Sequence, residues 1–236
     1  MISAGIDVGA KNVKVVLLRD GAVVARGLEM IGLNTQAAID GAFAAALAQI
    51  GAGRGEITKI TATGAGRKEV QFAGGELTEV GASAKGVHHL FSSARTAIDV
   101  GAEEGRAIKL DEKGKVQDFA INEKCAAGAG AFTEAMARAL EVGVEKMGEL
   151  SLRSRTAVPM NAQCAVFAES EVVSLIHAKT PKEDIARAVH DAIADRIVSM
   201  ARRIGIEKDV VVGGGLAKNT GFVDSIKRTL AIDVLV

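Results

Sequence analysis

Ile6-Asp7-Val8-Gly9-Ala10 recurs further along the chain as Ile98-Asp99-Val100-Gly101-Ala102. The surroundings recur with it. The first copy runs on into Lys14-Val15-Val16-Leu17-Leu18, a turn at Arg19-Asp20-Gly21, then Ala22-Val23-Val24-Ala25. The second runs on into Arg106-Ala107-Ile108-Lys109-Leu110, a turn at Glu112-Lys113-Gly114, then an apolar run over 116–121. Each half therefore opens with a strand, a glycine bend, a second strand, a turn and a third strand. A shared pentapeptide could arise by chance. A shared pentapeptide with the same hairpin behind it points to duplication.

Outside the repeat, helices and strands alternate. Ala, Phe and Leu spacing predicts a helix over 35–50, a short strand over 57–63 and a helix over 79–91. The second half predicts helices over 126–140, 165–177 and 184–204. Val210-Val211-Val212 reads as a buried strand, and 230–235 as a final one. The pattern is α/β, with two related domains, 1–95 and 96–236, and a cleft between them.

Composition narrows the classes. Formal net charge is zero, so nothing draws the chain to nucleic acid or an anionic membrane. With no Trp or Tyr, a base-stacking platform is disfavoured. No apolar run reaches the ~20 residues of a membrane span. Residues 1–5 lack the basic-then-apolar pattern of a signal peptide. Two Cys make no disulfide framework, so reduced thiols in the cytoplasm are expected. His88-His89 reads as a surface pair, because adjacent helical residues do not face each other.

The glycines mark phosphate-binding turns. A turn can lie close to a phosphate only where side chains are small, and its N–H groups can then donate to phosphate oxygens. Gly9 and Gly101 meet that need, with Ala10, Lys11 and Asn12 following in the first turn and Ala102 in the second. Asp7 and Asp99 occupy matching places, where a carboxylate holds Mg²⁺ through water. Gly213-Gly214-Gly215 behind the buried strand leaves bare backbone on which an adenine–ribose group can lie. Asn219 either starts the next helix or reaches the nucleotide.

Cys125 and Cys164 each stand just ahead of a predicted helix, whose N-terminus favours negative charge. Four thiolates normally hold a [4Fe–4S] cluster, and this chain has two. Counted alone, two Cys read as small buried apolar residues.

The ordered set of two Asp-x-Gly turns and a triple glycine resembles the acetate and sugar kinase, Hsp70 and actin superfamily. That resemblance implies two ribonuclease-H-like domains clasping ATP. Finer stretches resemble one branch. Asn122-Glu123-Lys124-Cys125-Ala126-Ala127-Gly128-Ala129-Gly130 and Cys164-Ala165-Val166-Phe167-Ala168-Glu169-Ser170 are similar to signatures of the benzoyl-CoA reductase ATPase subunits and 2-hydroxyacyl-CoA dehydratase activators. Thr63-Gly64-Ala65-Gly66-Arg67 also resembles a loop there. The resemblance implies that Cys125 and Cys164 hold a [4Fe–4S] cluster with two cysteines of a partner chain. ATP hydrolysis would then drive low-potential electron delivery to catalytic subunits. In this branch the chain normally continues into a further loop and helix, so an incomplete sequence or disordered tail is expected after Val236.

One turn departs from the activator pattern Asp-x-Gly-Gly-Gln-Asp. Here it reads Asp99-Val100-Gly101-Ala102-Glu103-Glu104. Glu103 puts an anion near the expected phosphates, a repulsion unless Mg²⁺ or a basic residue offsets it. Alternatively Glu103 or Glu104 orients the attacking water. This form resembles the D-type subunit of benzoyl-CoA reductase, implying a heterodimer with a related A-type subunit. The alternatives are a homodimeric dehydratase activator, a small-molecule kinase of the same superfamily, and a nucleotide-gated protein without catalysis.

Overall fold

The structure, a computed structural model, describes residues 1–122, 129–160 and 164–236. The first expected hairpin forms as β1 (Ile2–Val8), β2 (Asn12–Arg19) and β3 (Ala22–Met30). Alternation along β1 and β2 sends Ala4, Ile6, Val8, Val13, Val15 and Leu17 into one core. Helix α1 (Thr35–Ile50) covers that core with Ile39, Ala42, Phe43 and Ala46. Its start is fixed by Asn34, whose side chain accepts from the Ala37 N–H at 3.1 Å. After it come β4 (Ile57–Thr63), β5 (Gly75–Glu76) and α2 (Glu79–Leu90). The sheet order is β3-β2-β1-β4-β5, with β1 parallel to β4.

The second hairpin repeats the plan as β6 (Thr96–Val100), β7 (Gly105–Leu110) and β8 (Val116–Asn122). Helices α3 (Ala129–Ala139), α4 (Met147–Leu152), α5 (Ala165–His177) and α6 (Lys182–Ile204) follow. Then come β9 (Val210–Gly213) and α7 (Thr220–Leu230). The order β8-β7-β6-β9, with β6 parallel to β9, matches β3-β2-β1-β4 strand for strand. Phe132, Met136, Val189, Ile193, Val212 and Phe222 share the second core.

The chain divides into two compact units, Met1–Ala82 and Ser83–Val236. The division falls within α2, ahead of the expected domain boundary at residue 95. The expected final strand is a correction. Residues 220–230 are helical, Ala231 turns with φ 56°, and Leu235 makes a lone parallel bridge to Val211. The apolar run suits a strand, but it meets β9 at this one bridge. Among the described residues, no helix is long and apolar enough to cross a membrane.

Candidate functional site

Both sheets build the same structure at the ends of their parallel strands. Asp7 lies in register with Lys14 on β2 and with Thr63 on β4. Asp99 lies in register with Arg106 on β7 and with Gly213 on β9. Lys14 Nζ stands 2.7 Å from Asp7 Oδ2, and Arg106 reaches Asp99 Oδ2 at 3.6 Å. Asp99 also accepts the Ser83 hydroxyl at 2.6 Å. Each aspartate is thus partnered by a cation on the neighbouring strand.

The glycine beyond each partner strand repeats as well. Gly64 has φ +93°, and a Cβ there would stand 2.3 Å from Val8 O and 2.6 Å from Asp7 Oδ1. Gly214 has φ +86°, and its Cβ would stand 2.3 Å from Val100 O and 2.6 Å from Asp99 Oδ1. Only glycine combines this backbone conformation with this approach. Gly213 and Gly215, on either side of Gly214, have open space where a Cβ would project. That openness is what a flat group needs.

The turns qualify the expected phosphate contacts. Gly9 N–H donates to Asn12 O at 3.1 Å, and Gly101 N–H to Glu104 O at 2.8 Å. These two donors close their own turns. A phosphate would therefore have to be met by the residues that follow, Ala10 to Asn12 and Ala102 to Glu104. In the second turn, Glu104 is paired to Arg106 at 2.5 Å while Glu103 is exposed. Arg106, 8% exposed, is the basic residue that offsets the added negative charge.

Helix α3 is seated on this turn. Gly130 N–H donates to Gly101 O at 3.2 Å and Ala131 N–H to Ala102 O at 3.0 Å. These bonds satisfy two donors that a helix start leaves open. Asn219 takes the first of its two expected roles. Its Oδ1 accepts from the Phe222 N–H at 3.0 Å and caps α7, and its amide nitrogen lies 3.1 Å from His190 Nε2. Burial pushes His190 down to about 4, so the ring is neutral at pH 7 and accepts at Nε2.

Cys164 is half-buried at the N-cap of α5, and its own side chain makes no capping hydrogen bond there. Among the described residues, no three His, Cys, Asp or Glu side chains gather as a metal site. Cys125 lies outside the described residues, so the pairing of the two thiols is not part of this geometry. Lys14, Arg106 and Ser83 were not among the sequence candidates. The signal for the first two was available: each stands the same distance after its aspartate in the two repeats.

A family model, the BadF/BadG/BcrA/BcrD ATPase family, matches residues 4–235. The chain belongs to this ATPase family. The chain has the α/β fold of the acetate and sugar kinase, Hsp70 and actin superfamily. The activator of lactoyl-CoA dehydratase from Anaerotignum propionicum is 40% identical, over 100% of this chain and 91% of the relative. The solved activator of the 2-hydroxyisocaproyl-CoA dehydratase from Clostridium difficile, with bound ADPNP, is 34% identical with a TM-score of 0.94. It is matched over 100% of this chain and 88% of its own. The D-type subunit of benzoyl-CoA reductase from Thauera aromatica is 29% identical, over 97% of this chain and 83% of that one. Within the BadF/BadG/BcrA/BcrD family, the resemblance thus leans toward the activators rather than the reductase component expected first.

Proposed function

We propose that the chain is the ATP-hydrolysing activator of a 2-hydroxyacyl-CoA dehydratase-type system, coupling nucleotide hydrolysis to electron delivery. The observation that carries this reading is the half-buried Cys164 at the head of α5, whose thiol is not spent on capping that helix. A small-molecule kinase with the same nucleotide turns has no use for it. The 40% identity to an activator supports the same choice.

The residues suit the implied groups. Cys164 offers one thiolate at a helix N-terminus, where negative charge is favoured, a fitting ligand for an anionic [4Fe–4S] cluster. Cys125 and the cysteines of a second copy would complete the set. When bound, such a cluster supplies a one-electron donor. Val166 and Phe167, exposed in the first turn of α5, supply apolar surface for a second copy to cover.

In the nucleotide half of the function, each turn would meet phosphate with the backbone that follows its glycine, and its own aspartate, Asp7 or Asp99, offers a carboxylate that would hold Mg²⁺. Gly213 to Gly215 take the adenosine. Arg106 keeps Glu104 and Asp99 compatible with bound phosphate, and Glu103 is free to orient the attacking water. Anaerobic iron analysis with ATP turnover tests the reading. About four irons per dimer, lost in Cys164→Ala or Cys125→Ala, are expected. An iron-free preparation whose Cys variants still support dehydratase activation would overturn it.

A second reading is favoured by the Ala102-Glu103-Glu104 turn. It is the D-type subunit of an ATP-dependent benzoyl-CoA reductase, paired with a related A-type chain and docked on catalytic subunits. Co-purification decides between them: a second copy supports the activator, a related chain the reductase.

A further inference from the structure

The unit formed by Met1–Ala82 contains a glycine loop that none of the roles above uses. It is Thr63-Gly64-Ala65-Gly66-Arg67, at the end of β4. Gly64 packs on Val8 and Asp7 as Gly214 packs on Val100 and Asp99, to the same distances. The loop is therefore the counterpart of Gly213 to Gly215. Aligning the two through Gly64 and Gly214 sets Thr63 against Gly213 and Arg67 against Ala217.

Those two differences change the chemistry. Gly213 leaves open space for a flat group, whereas Thr63 fills the matching place with a side chain. Ala217 is apolar, whereas Arg67 brings a cation. Arg67 is tied to the loop itself, its NH1 donating to Gly64 O at 3.1 Å. Its other tie is loose. Nε stands 3.4 Å from Glu76 Oε2, in a pair whose side chains are 29% and 48% exposed. Exposed pairs of this kind contribute little, so an incoming anion can displace Glu76. A planar guanidinium with five donors can keep Gly64 O and still bind phosphate.

We infer that Arg67 contacts the terminal phosphate of the nucleotide, with the Gly64–Gly66 backbone setting its distance from the carboxylate of Asp7. The inference rests on the nucleotide reading above and assigns a residue that reading leaves idle.

The test is equilibrium binding of AMP, ADP and a non-hydrolysable ATP analogue, with Mg²⁺, to the full chain. Arg67→Ala should weaken the triphosphate analogue about tenfold, the scale of one charge-assisted hydrogen bond, and leave AMP unchanged. Arg67→Lys should recover part of the loss. Glu76→Gln separates this role from a structural one. A residue needed only for the ion pair would suffer equally from Glu76→Gln, whereas a phosphate ligand would bind as well or better. If Arg67→Ala does not fold, Arg67→Gln keeps the size and removes the charge, and the same loss is expected. Equal affinity of wild type and variant for the triphosphate, or an equal loss for all three ligands, overturns the inference. Wild type that binds no nucleotide overturns the underlying reading instead.

Discussion

The amide nitrogen of Asn219 lies 3.1 Å from Nε2 of the fully buried His190. The same side chain caps α7, so a neutral imidazole on α6 steadies the helix that follows the triple glycine. Protonating His190 would set a cation against an amide donor in a site where burial already opposes charge.

That relationship predicts a pH dependence. Between pH 6.5 and about 4 the unfolded chain protonates this histidine and the folded chain does not. Stability from this group is fully present above pH 6.5 and falls as pH drops through that window, by roughly 3 kcal/mol at most. Urea midpoints measured from pH 7 to pH 4 should show the fall, and His190→Gln should flatten it. An unchanged slope in the variant would contradict the assignment.

Arg106 gives a second prediction. It is buried and faces both Asp99 and Glu104. Arg106→Ala leaves two carboxylates close together, and about 3 kcal/mol of stability should be lost. Removing Glu104 at the same time should restore part of it. Chemical denaturation of the single and double variants checks the coupling.

The matched glycines give a third. Gly64→Ala and Gly214→Ala each place a methyl 2.3 Å from a carbonyl oxygen at positive φ. Both should lose about 2 kcal/mol or more. The resemblance of the two glycine loops implies losses of similar size. Thermal melts of the two variants side by side would show it.

The aspartates give a fourth. Asp7→Asn keeps an acceptor for Lys14 but removes the charge that would hold Mg²⁺ through water. ATP turnover should fall by about a hundredfold, the scale of losing one charge-stabilising group. Ser83→Ala, which removes only a neutral hydroxyl donor to Asp99, should cost far less. Steady-state phosphate release measures both.

Much of this was legible in the sequence. The helices over 35–50 and 165–177 and the strand over 57–63 fall where their periodicity placed them. The recurring Asp-x-Gly announced two equivalent turns. What the repeat could not show was who faces each aspartate. Lys14 and Arg106 reach theirs through strand register, which depends on the length of an intervening turn. Ser83 reaches Asp99 from a helix in a different part of the chain. The N–H groups of Gly9 and Gly101 looked available for phosphate because their internal partners, Asn12 O and Glu104 O, are backbone atoms that no side-chain pattern reveals. Helix α7 starts where Asn219 offered a cap, whereas the expected strand over 230–235, an apolar run without alternation, is reduced to the bridge of Leu235 to Val211.

The seat of α3 on the second turn has a mechanical meaning. Eleven residues make a rod about 16 Å long, pinned at one end by two backbone bonds to Gly101 and Ala102. Along its length Phe132 and Met136 anchor the same rod in the second core. The turn that carries Asp99 is therefore backed by packed side chains rather than by loose chain, and its position is set by the core behind it.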